Sequence, residues 1–198
     1  MKFVFALVLL VLVSYLVGFF LPQTYEVSRS VVIDAPMADI HAKVDDLHTW
    51  IVWSDFKPPA DTETESTYEG PEKGPGSAWH WGGLGDIKPA KLTILTSHPD
   101  HGITYSLDMD GGRVQTTGDV RYEATPEGVR VTISNKGELP TPWSRYFAFL
   151  ADKSIGPTFE RSLQGLKQAV EATEPKLDPA LQPKDGTPPA AEPQPGEQ

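Results

Sequence analysis

Two tryptophans flank a histidine at Trp79-His80-Trp81, the most chemically conspicuous triplet in the chain. Neighbouring side chains on a strand point to opposite faces, so the two indoles share one face and His80 takes the other. Indoles can stack on a ring-shaped ligand, and an imidazole can act as a general acid or base. His80 is therefore a candidate catalytic residue. The alternative is an ordinary exposed histidine on a strand whose tryptophans pack in the core.

The other polar groupings predict neither a metal site nor a second catalytic centre. The stretch His98-Pro99-Asp100-His101 reads as a turn without a third metal ligand. Asp108 and Asp110 fall on the outward row of a predicted strand, where carboxylates are solvated. The sequence has no Gly-x-Ser-x-Gly, HExxH or phosphate-loop motif and no cysteine. We therefore expect no metal ion and no cofactor.

Apolar and polar residues alternate with a period of two in the segments around the triplet, and this alternation predicts a β-sheet. The segment Tyr25–Ile33 predicts the first strand, and Ile40, Val44 and Leu47 predict a short amphipathic helix after it. Four later segments also alternate, with turn residues between them. Their inward rows are Leu92 and Ile94; Ile103, Tyr105, Leu107 and Met109; Val114, Thr116, Val120 and Tyr122; and Val129, Val131 and Ile133. This pattern is typical of an antiparallel sheet with one buried face.

The end of the domain predicts a long helix, with Gly156-Pro157 as its start or a kink. Its apolar stripe is Phe159, Leu163, Leu166 and Val170, and it can cover the apolar face of the sheet. The expected fold is α+β, a curved antiparallel sheet around a C-terminal helix, with a cleft between them that is either packed or open. The candidate ligand-pocket residues are Trp53, Trp79, Trp81, Ile94, Tyr105, Met109, Thr116, Phe159 and Leu163.

Four stretches carry a family resemblance: RSVVIDAP (Arg29–Pro36), LHTWIVWSDF (Leu47–Phe56), GPGSAWHW (Gly74–Trp81) and DKSIGPTFERSLQGLK (Asp152–Lys167). Together they resemble the START-like, Bet v 1-like (SRPBCC) superfamily of polyketide cyclase/dehydrase and lipid-transport proteins. The resemblance covers about residues 25–174 and implies a helix-grip fold. The sequence departs from the family pattern at Gly85–Ala90 and Val131–Ser134. Because the superfamily includes carriers, cyclases and partner-binding modules, the fold does not settle the function.

The N-terminus predicts a membrane anchor. Phe3–Leu21 contains no charged residue, and as a helix its 19 residues would extend about 28 Å, close to the hydrocarbon thickness of a bilayer. No A-x-A-like cleavage site ends the segment, which favours a permanent transmembrane helix over a cleaved signal peptide. With Lys2 on the cytoplasmic side, we expect a single-pass protein of a bacterial inner membrane, with its domain outside the cytoplasm.

The predicted organisation is an anchor (residues 1–22), one helix-grip domain (23–174) and a proline-rich disordered tail (175–198). The formal net charge of −10 repels phosphate backbones, so nucleic acid is not an expected partner. The leading hypothesis is a membrane-anchored domain that binds a small hydrophobic molecule or lipid in its cleft without catalysis. Two alternatives are a cyclase/dehydratase-type enzyme, with His80 or Tyr105 donating protons, and a protein-interaction module with a filled core.

Overall fold

A computed structural model describes residues 1–56, 66–82 and 89–172 of the chain. The helices are α1 (Lys2–Gly18), α2 (Met37–Val44), α3 (Leu47–Trp53), a 3₁₀ helix η1 (Ser144–Phe149) and the long C-terminal helix α4 (Ala151–Glu171). The strands are β1 (Thr24–Ile33), β2 (Ser66–Glu69), β3 (Ala78–Trp81), β4 (Ala90–His98), β5 (Gly102–Met109), β6 (Val114–Thr125) and β7 (Gly128–Glu138).

The seven strands of the described residues form a single antiparallel sheet in the order β1-β7-β6-β5-β4-β3-β2. Burial alternates along the long strands, so that one face of the sheet meets the core and the other meets solvent. The first strand pairs with β7 at one edge of the sheet, and β2 lies at the other edge. The antiparallel sheet that the alternation predicts is therefore confirmed.

Helix α4 lies on the apolar face of the sheet and contacts β1, α2 and α3. The four residues of its predicted stripe, Phe159, Leu163, Leu166 and Val170, are all buried. They join the inward rows of the strands and the tryptophans of α3 in one hydrophobic core. The predicted α+β arrangement, with an antiparallel sheet packed on a C-terminal helix, is confirmed.

Of the two readings of Gly156-Pro157, the helix start is wrong, and the assignment of Leu47 to the first short helix is also wrong. Helix α4 begins at Ala151, before Gly156-Pro157, and continues through Pro157. Ala151 is buried against the core, and the helix tolerates Pro157 although proline removes one backbone hydrogen bond. Leu47 belongs to α3 and not to the preceding helix, because the Asp46 side chain accepts a hydrogen bond from the His48 amide and caps a new helix.

Helix α1 carries apolar side chains on every side, and most of them are exposed. It ends at Gly18, so Phe19–Leu21 lie beyond the helix. Within residues 1–56, 66–82 and 89–172, no helix has both the length and the apolar character needed to cross a membrane.

Some predictions fall outside the described residues. They are the disordered tail (175–198) and most of the departure from the family pattern at residues 85–90. Both stay predictions.

Candidate ligand-binding site

The strand register gives the sheet two ends with different surroundings. The α1 end is the end from which the chain connects back to α1, and its strand termini are Thr24, Glu138, Val114, Met109, Ala90 and Trp81. The far end carries the opposite termini, Ile33, Gly128, Thr125, Gly102 and His98. Any ligand site between the sheet and α4 must lie towards one of these ends or midway between them.

The middle of the cleft is filled by aromatic side chains. The ring centroids of Trp50 and Tyr105 are 6.1 Å apart, and the Phe56 ring lies 6.3 Å from Tyr105 and 5.9 Å from Phe159. Trp50, Tyr105 and Phe159 are all fully buried. Such contacts are ordinary aromatic packing distances. A ligand cannot enter this part of the cleft without displacing core side chains.

A cavity of about 640 Å³, here called the end cavity, lies at the α1 end. Five parts of the fold line it, namely Tyr25 of β1, Met109 to Thr116 around the β5–β6 turn, Glu138–Thr141, Ser144 and Phe147 of η1, and Ile155 of α4. Its surface is mainly apolar, with a few polar groups. This size and lining fit a small-molecule site.

A second depression of about 440 Å³ adjoins the end cavity. Met109 and Val114 line both of them, so these two side chains form the partition. The second depression is otherwise lined by Phe56, Trp81, Ala90, Leu107 and Asp110. Both openings therefore lie at the α1 end of the sheet.

The predicted pocket residues divide between the core and these openings. Trp53, Trp79, Ile94, Tyr105, Phe159 and Leu163 are buried in the core and line neither of the two openings. Met109 and Thr116 line the end cavity, and Trp81 and Met109 line the adjoining depression. The structure thus places three of the nine at open space, at one end of the cleft and not along its length.

Polar side chains meet on the cavity side of the sheet. The Tyr25 hydroxyl donates to Asn135 Oδ1 at 3.1 Å, and Asn135 Nδ2 donates to Thr116 Oγ1 at 2.9 Å. The Tyr105 hydroxyl donates to the Ser134 carbonyl at 3.2 Å. Burial raises the pKa of Tyr25 and, more strongly, that of Tyr105. Both phenols therefore stay protonated and act as hydrogen-bonding groups.

Two glycines make room for these tyrosines. A Cβ atom at Gly137 would collide with the Tyr25 ring, and one at Gly118 would collide with the Tyr105 ring. Both glycines occupy inward positions on their strands. The missing side chains let each tyrosine lie across a neighbouring strand and reach a partner on β7.

The candidate catalytic residue His80 lies on the face of β3 opposite Trp79 and Trp81. Its Nε2 atom is 3.0 Å from Glu69 Oε2, and Lys91 Nζ is 3.3 Å from the same oxygen. The hydrogen bond from His80, followed by that from Lys91, lowers the pKa of Glu69. His80 therefore faces Glu69 on the outer side of the sheet and lines neither of the two openings.

The grouping at residues 98–101 lies at the far end of the sheet, whereas Asp110 lines the adjoining depression. His98 and His101 stack in the β4–β5 turn with ring centroids 4.6 Å apart. In the part of the chain that the structure describes, no group of three or more histidine, aspartate or glutamate side chains could hold a metal ion.

The segment that walls the end cavity also holds the C-terminus of α1. Arg145, only 8% exposed, donates to the carbonyl oxygens of Phe19 at 2.9 Å, Leu139 at 3.3 Å and Gly18 at 3.4 Å. The Tyr146 hydroxyl donates to the Ser14 carbonyl at 2.7 Å. A cation at a helix C-terminus complements the partial negative charge of the last carbonyls. These bonds fix the direction in which α1 leaves the domain.

Sequence reasoning missed Tyr25, Asn135, Phe147 and Arg145. One signal was available for Asn135, because it continues the inward row of Val129, Val131 and Ile133 as a polar residue. Phe147 and Arg145 lie in a short 3₁₀ segment without strand or helix periodicity, so no pattern could assign them to the site.

Comparisons with known proteins agree with the fold. The family model described as "Polyketide cyclase / dehydrase and lipid transport" matches residues 24–171. Comparison with curated proteins gives no match.

Solved structures from three bacteria resemble the chain. A protein of unknown function from Staphylococcus aureus has a TM-score of 0.57 at 9% identity, with 75% of this chain and 97% of that chain covered. A Rhodobacter sphaeroides protein has a TM-score of 0.55 at 16% identity, covering 76% and 95%. A Chromobacterium violaceum protein has a TM-score of 0.52 at 18% identity, covering 76% and 99%. These likenesses concern the fold alone.

Proposed function

Because the chain belongs to the polyketide cyclase/dehydrase and lipid transport family, we propose that its domain binds a small hydrophobic ligand in the end cavity. The observation that carries the proposal is the apolar space of about 640 Å³ between the sheet, η1 and α4. Ligand pockets in proteins usually have volumes of about 300–1,000 Å³ and mainly apolar walls. The filled middle of the cleft restricts the ligand to the α1 end.

We further propose that the ligand is bound without being transformed. General acid–base catalysis needs a titratable group within reach of the substrate. His80 pairs with Glu69 on the outer face, and the buried Tyr105 holds its proton against the Ser134 carbonyl. Neither residue favours the alternative of a cyclase/dehydratase-type enzyme. The open space at the α1 end also argues against an interaction module with a wholly filled core.

The ligand proposal is tested on the full-length chain, purified in mild detergent. Native mass spectrometry and organic extraction should find a copurifying small molecule in the wild-type protein. Met109→Trp should lose it, because an indole at the partition would occupy the cavity. Leu95→Trp is the matched control, since Leu95 is exposed on β4 away from both openings. Equal ligand content in the two variants, or no copurifying molecule and no binding of apolar probes by the wild-type protein, would contradict the proposal.

The proposed setting is a lipid bilayer into which α1 inserts. Exposed apolar side chains surround this helix, and large exposed apolar surfaces usually contact a protein or a membrane. Trp143 is also exposed, with its ring centroid 5.9 Å from that of Tyr15 on α1, and tryptophan favours the membrane–water interface. Bilayer attachment through α1 would bring the end cavity close to the lipid.

Two measurements test the attachment and its orientation. Alkaline carbonate should leave the full-length chain in the membrane fraction, whereas a chain lacking residues 1–22 should be released. The chain has no cysteine, so Glu127→Cys at the far end provides a unique thiol. A membrane-impermeant maleimide should label it in intact spheroplasts if the domain lies outside the cytoplasm. Labelling only after lysis would reverse the proposed orientation.

A further inference from the structure

We propose that Thr116 and Asn135 form a polar anchor at the end cavity that selects uncharged, largely apolar ligands carrying one hydrogen-bonding oxygen. The inference rests on the proposed function and adds the chemistry by which the site would choose its ligand. It stands on the direction of the hydrogen bonds and on the position of the charged groups around the cavity.

The hydrogen-bond directions leave a donor facing the ligand space. Asn135, 4% exposed, uses its amide oxygen for Tyr25 and its amide nitrogen for Thr116. Thr116, 5% exposed, therefore accepts one bond and keeps its own hydroxyl proton, for which the described residues show no acceptor. Thr116 and Tyr25 both line the cavity. A ligand oxygen can accept from Thr116, and a ligand hydroxyl can donate to the Tyr25 oxygen.

The other hydroxyl groups of the lining already bond each other. Ser144 Oγ donates to the Thr141 carbonyl at 2.8 Å, and it lies 3.1 Å from Thr141 Oγ1. The Thr141 hydroxyl oxygen also accepts from the Ser144 amide at 3.1 Å. Thr141 and Ser144 therefore hydrogen-bond each other within one turn. Thr116 is then the buried hydroxyl donor of the described lining that is available to a ligand.

The charged lining residues lie at the mouth. Arg113, with its side chain 81% exposed, lies 3.8 Å from Asp110, and Glu138 is exposed at the end of β7. Among the described residues that line the end cavity, the ionic ones are the exposed Arg113 and Glu138; Asp108 and Lys136 border a separate depression with Thr116 and lie on the outward rows of β5 and β7. An ionised ligand group placed beside Thr116 at the floor of the end cavity would lose its hydration without a counter-charge. The floor therefore favours an uncharged oxygen over a carboxylate or an ammonium group.

The test compares three probes that share one ring system: naphthalene, naphthol and naphthoate. Binding to the full-length protein in detergent is followed by probe fluorescence and by calorimetry. The wild-type protein should bind naphthol about three- to tenfold more tightly than naphthalene, the range expected for one net hydrogen bond. Naphthoate should bind more weakly than naphthol.

Substitutions assign the preference to the anchor. Thr116→Val should abolish the advantage of naphthol while keeping naphthalene binding, and Thr116→Ser should restore the advantage. Thr117→Val is the matched control, because Thr117 is exposed on the outward row of the same strand. Circular dichroism and thermal unfolding verify that each variant is folded.

The possible binding results distinguish the polar anchor from the hydrophobic ligand site. Naphthalene and naphthol binding equally well to the wild-type protein would overturn the polar anchor and leave the hydrophobic site standing. Tight naphthoate binding that disappears in Arg113→Gln would overturn the anchor in favour of recognition at the mouth. If the wild-type protein binds none of the probes, both the anchor and the proposed ligand site are wrong.

Discussion

The two ends of the sheet differ in how completely they are closed. At the far end, α2 packs over the strands, with His41 Nδ1 3.4 Å from the Tyr122 hydroxyl and Ser97 donating to Asp45. At the α1 end, η1 and the first turn of α4 leave a space of about 640 Å³. The same sheet and the same helix line both ends. The difference shows that the segment covering each end, α2 at the far end and η1 at the α1 end, determines where the cleft opens.

The largest expected effect on stability comes from a comparison between a packed side chain and a cavity-lining side chain. Phe159→Ala removes a fully buried ring from the middle of the cleft and should lower the free energy of unfolding by about 3–5 kcal/mol. Phe147→Ala removes a half-buried ring beside an existing cavity and should cost about 1–2 kcal/mol. Urea unfolding of both variants measures the difference. Equal losses would mean that the two regions are packed equally well.

The next effect compares a turn at each end. Gly102 at the far end has φ +99°, and a Cβ there would collide with the Val120 carbonyl. Gly111 at the α1 end has φ +68° and open space around it. Gly102→Ala should destabilise the domain by about 2–4 kcal/mol, because strain and overpacking add. Gly111→Ala should cost about 1 kcal/mol. Thermal unfolding at matched protein concentrations distinguishes the two variants. A similar loss of stability in both variants would contradict the expected difference between the two turns.

A smaller effect is expected at the junction with α1. Arg145→Met removes the cation that bonds three carbonyl groups and should cost about 1–3 kcal/mol. Limited proteolysis should then cut faster between α1 and β1. Arg130→Met is the control, because Arg130 makes a surface ion pair with Glu123. Unchanged cleavage in Arg145→Met would show that other contacts hold the junction.

The smallest effect concerns the surface of the α1 end. Hydrogen bonds from Arg29 lower the pKa of Asp152, so the folded state favours the ionised carboxyl. This contribution is present above the unfolded pKa of about 4 and is lost as the pH falls through the folded value. Asp152→Asn should therefore lower stability slightly at neutral pH and flatten the decline in acid. An identical acid decline in both proteins, measured by urea unfolding at several pH values, would contradict this prediction.

The fold was largely predictable because burial on a sheet has period two and burial on a helix has period 3.6. The inward rows of β5 and β7 and the stripe Phe159–Val170 carry these periods clearly, and the family resemblance read from the sequence is confirmed. The start of α4 was not predictable from Gly156-Pro157, because proline is a local signal for a helix start or a kink and α4 continues through it.

The candidate site was predictable only in part. An inward position was foreseeable for Tyr105 and for Thr116, yet the same pattern fits a packed core and a cavity wall. Tyr105 fills the core because Trp50 of α3 packs against its ring, whereas Thr116 lies towards the α1 end, where the lining leaves open space. A strand pattern does not contain this information.

By itself, the sequence determined the antiparallel sheet, the covering helix, the outward position of His80 and the apolar character of α1, because each follows from side-chain spacing along a single element. Only the tertiary structure decided that the cleft is filled in its middle and open at the α1 end. That outcome depends on how Trp50, Phe56 and η1 pack between elements distant in sequence. It also brought Tyr25, Asn135 and Thr116 together from three strands, since hydrogen-bond partners across a sheet are selected by register and not by spacing along the chain.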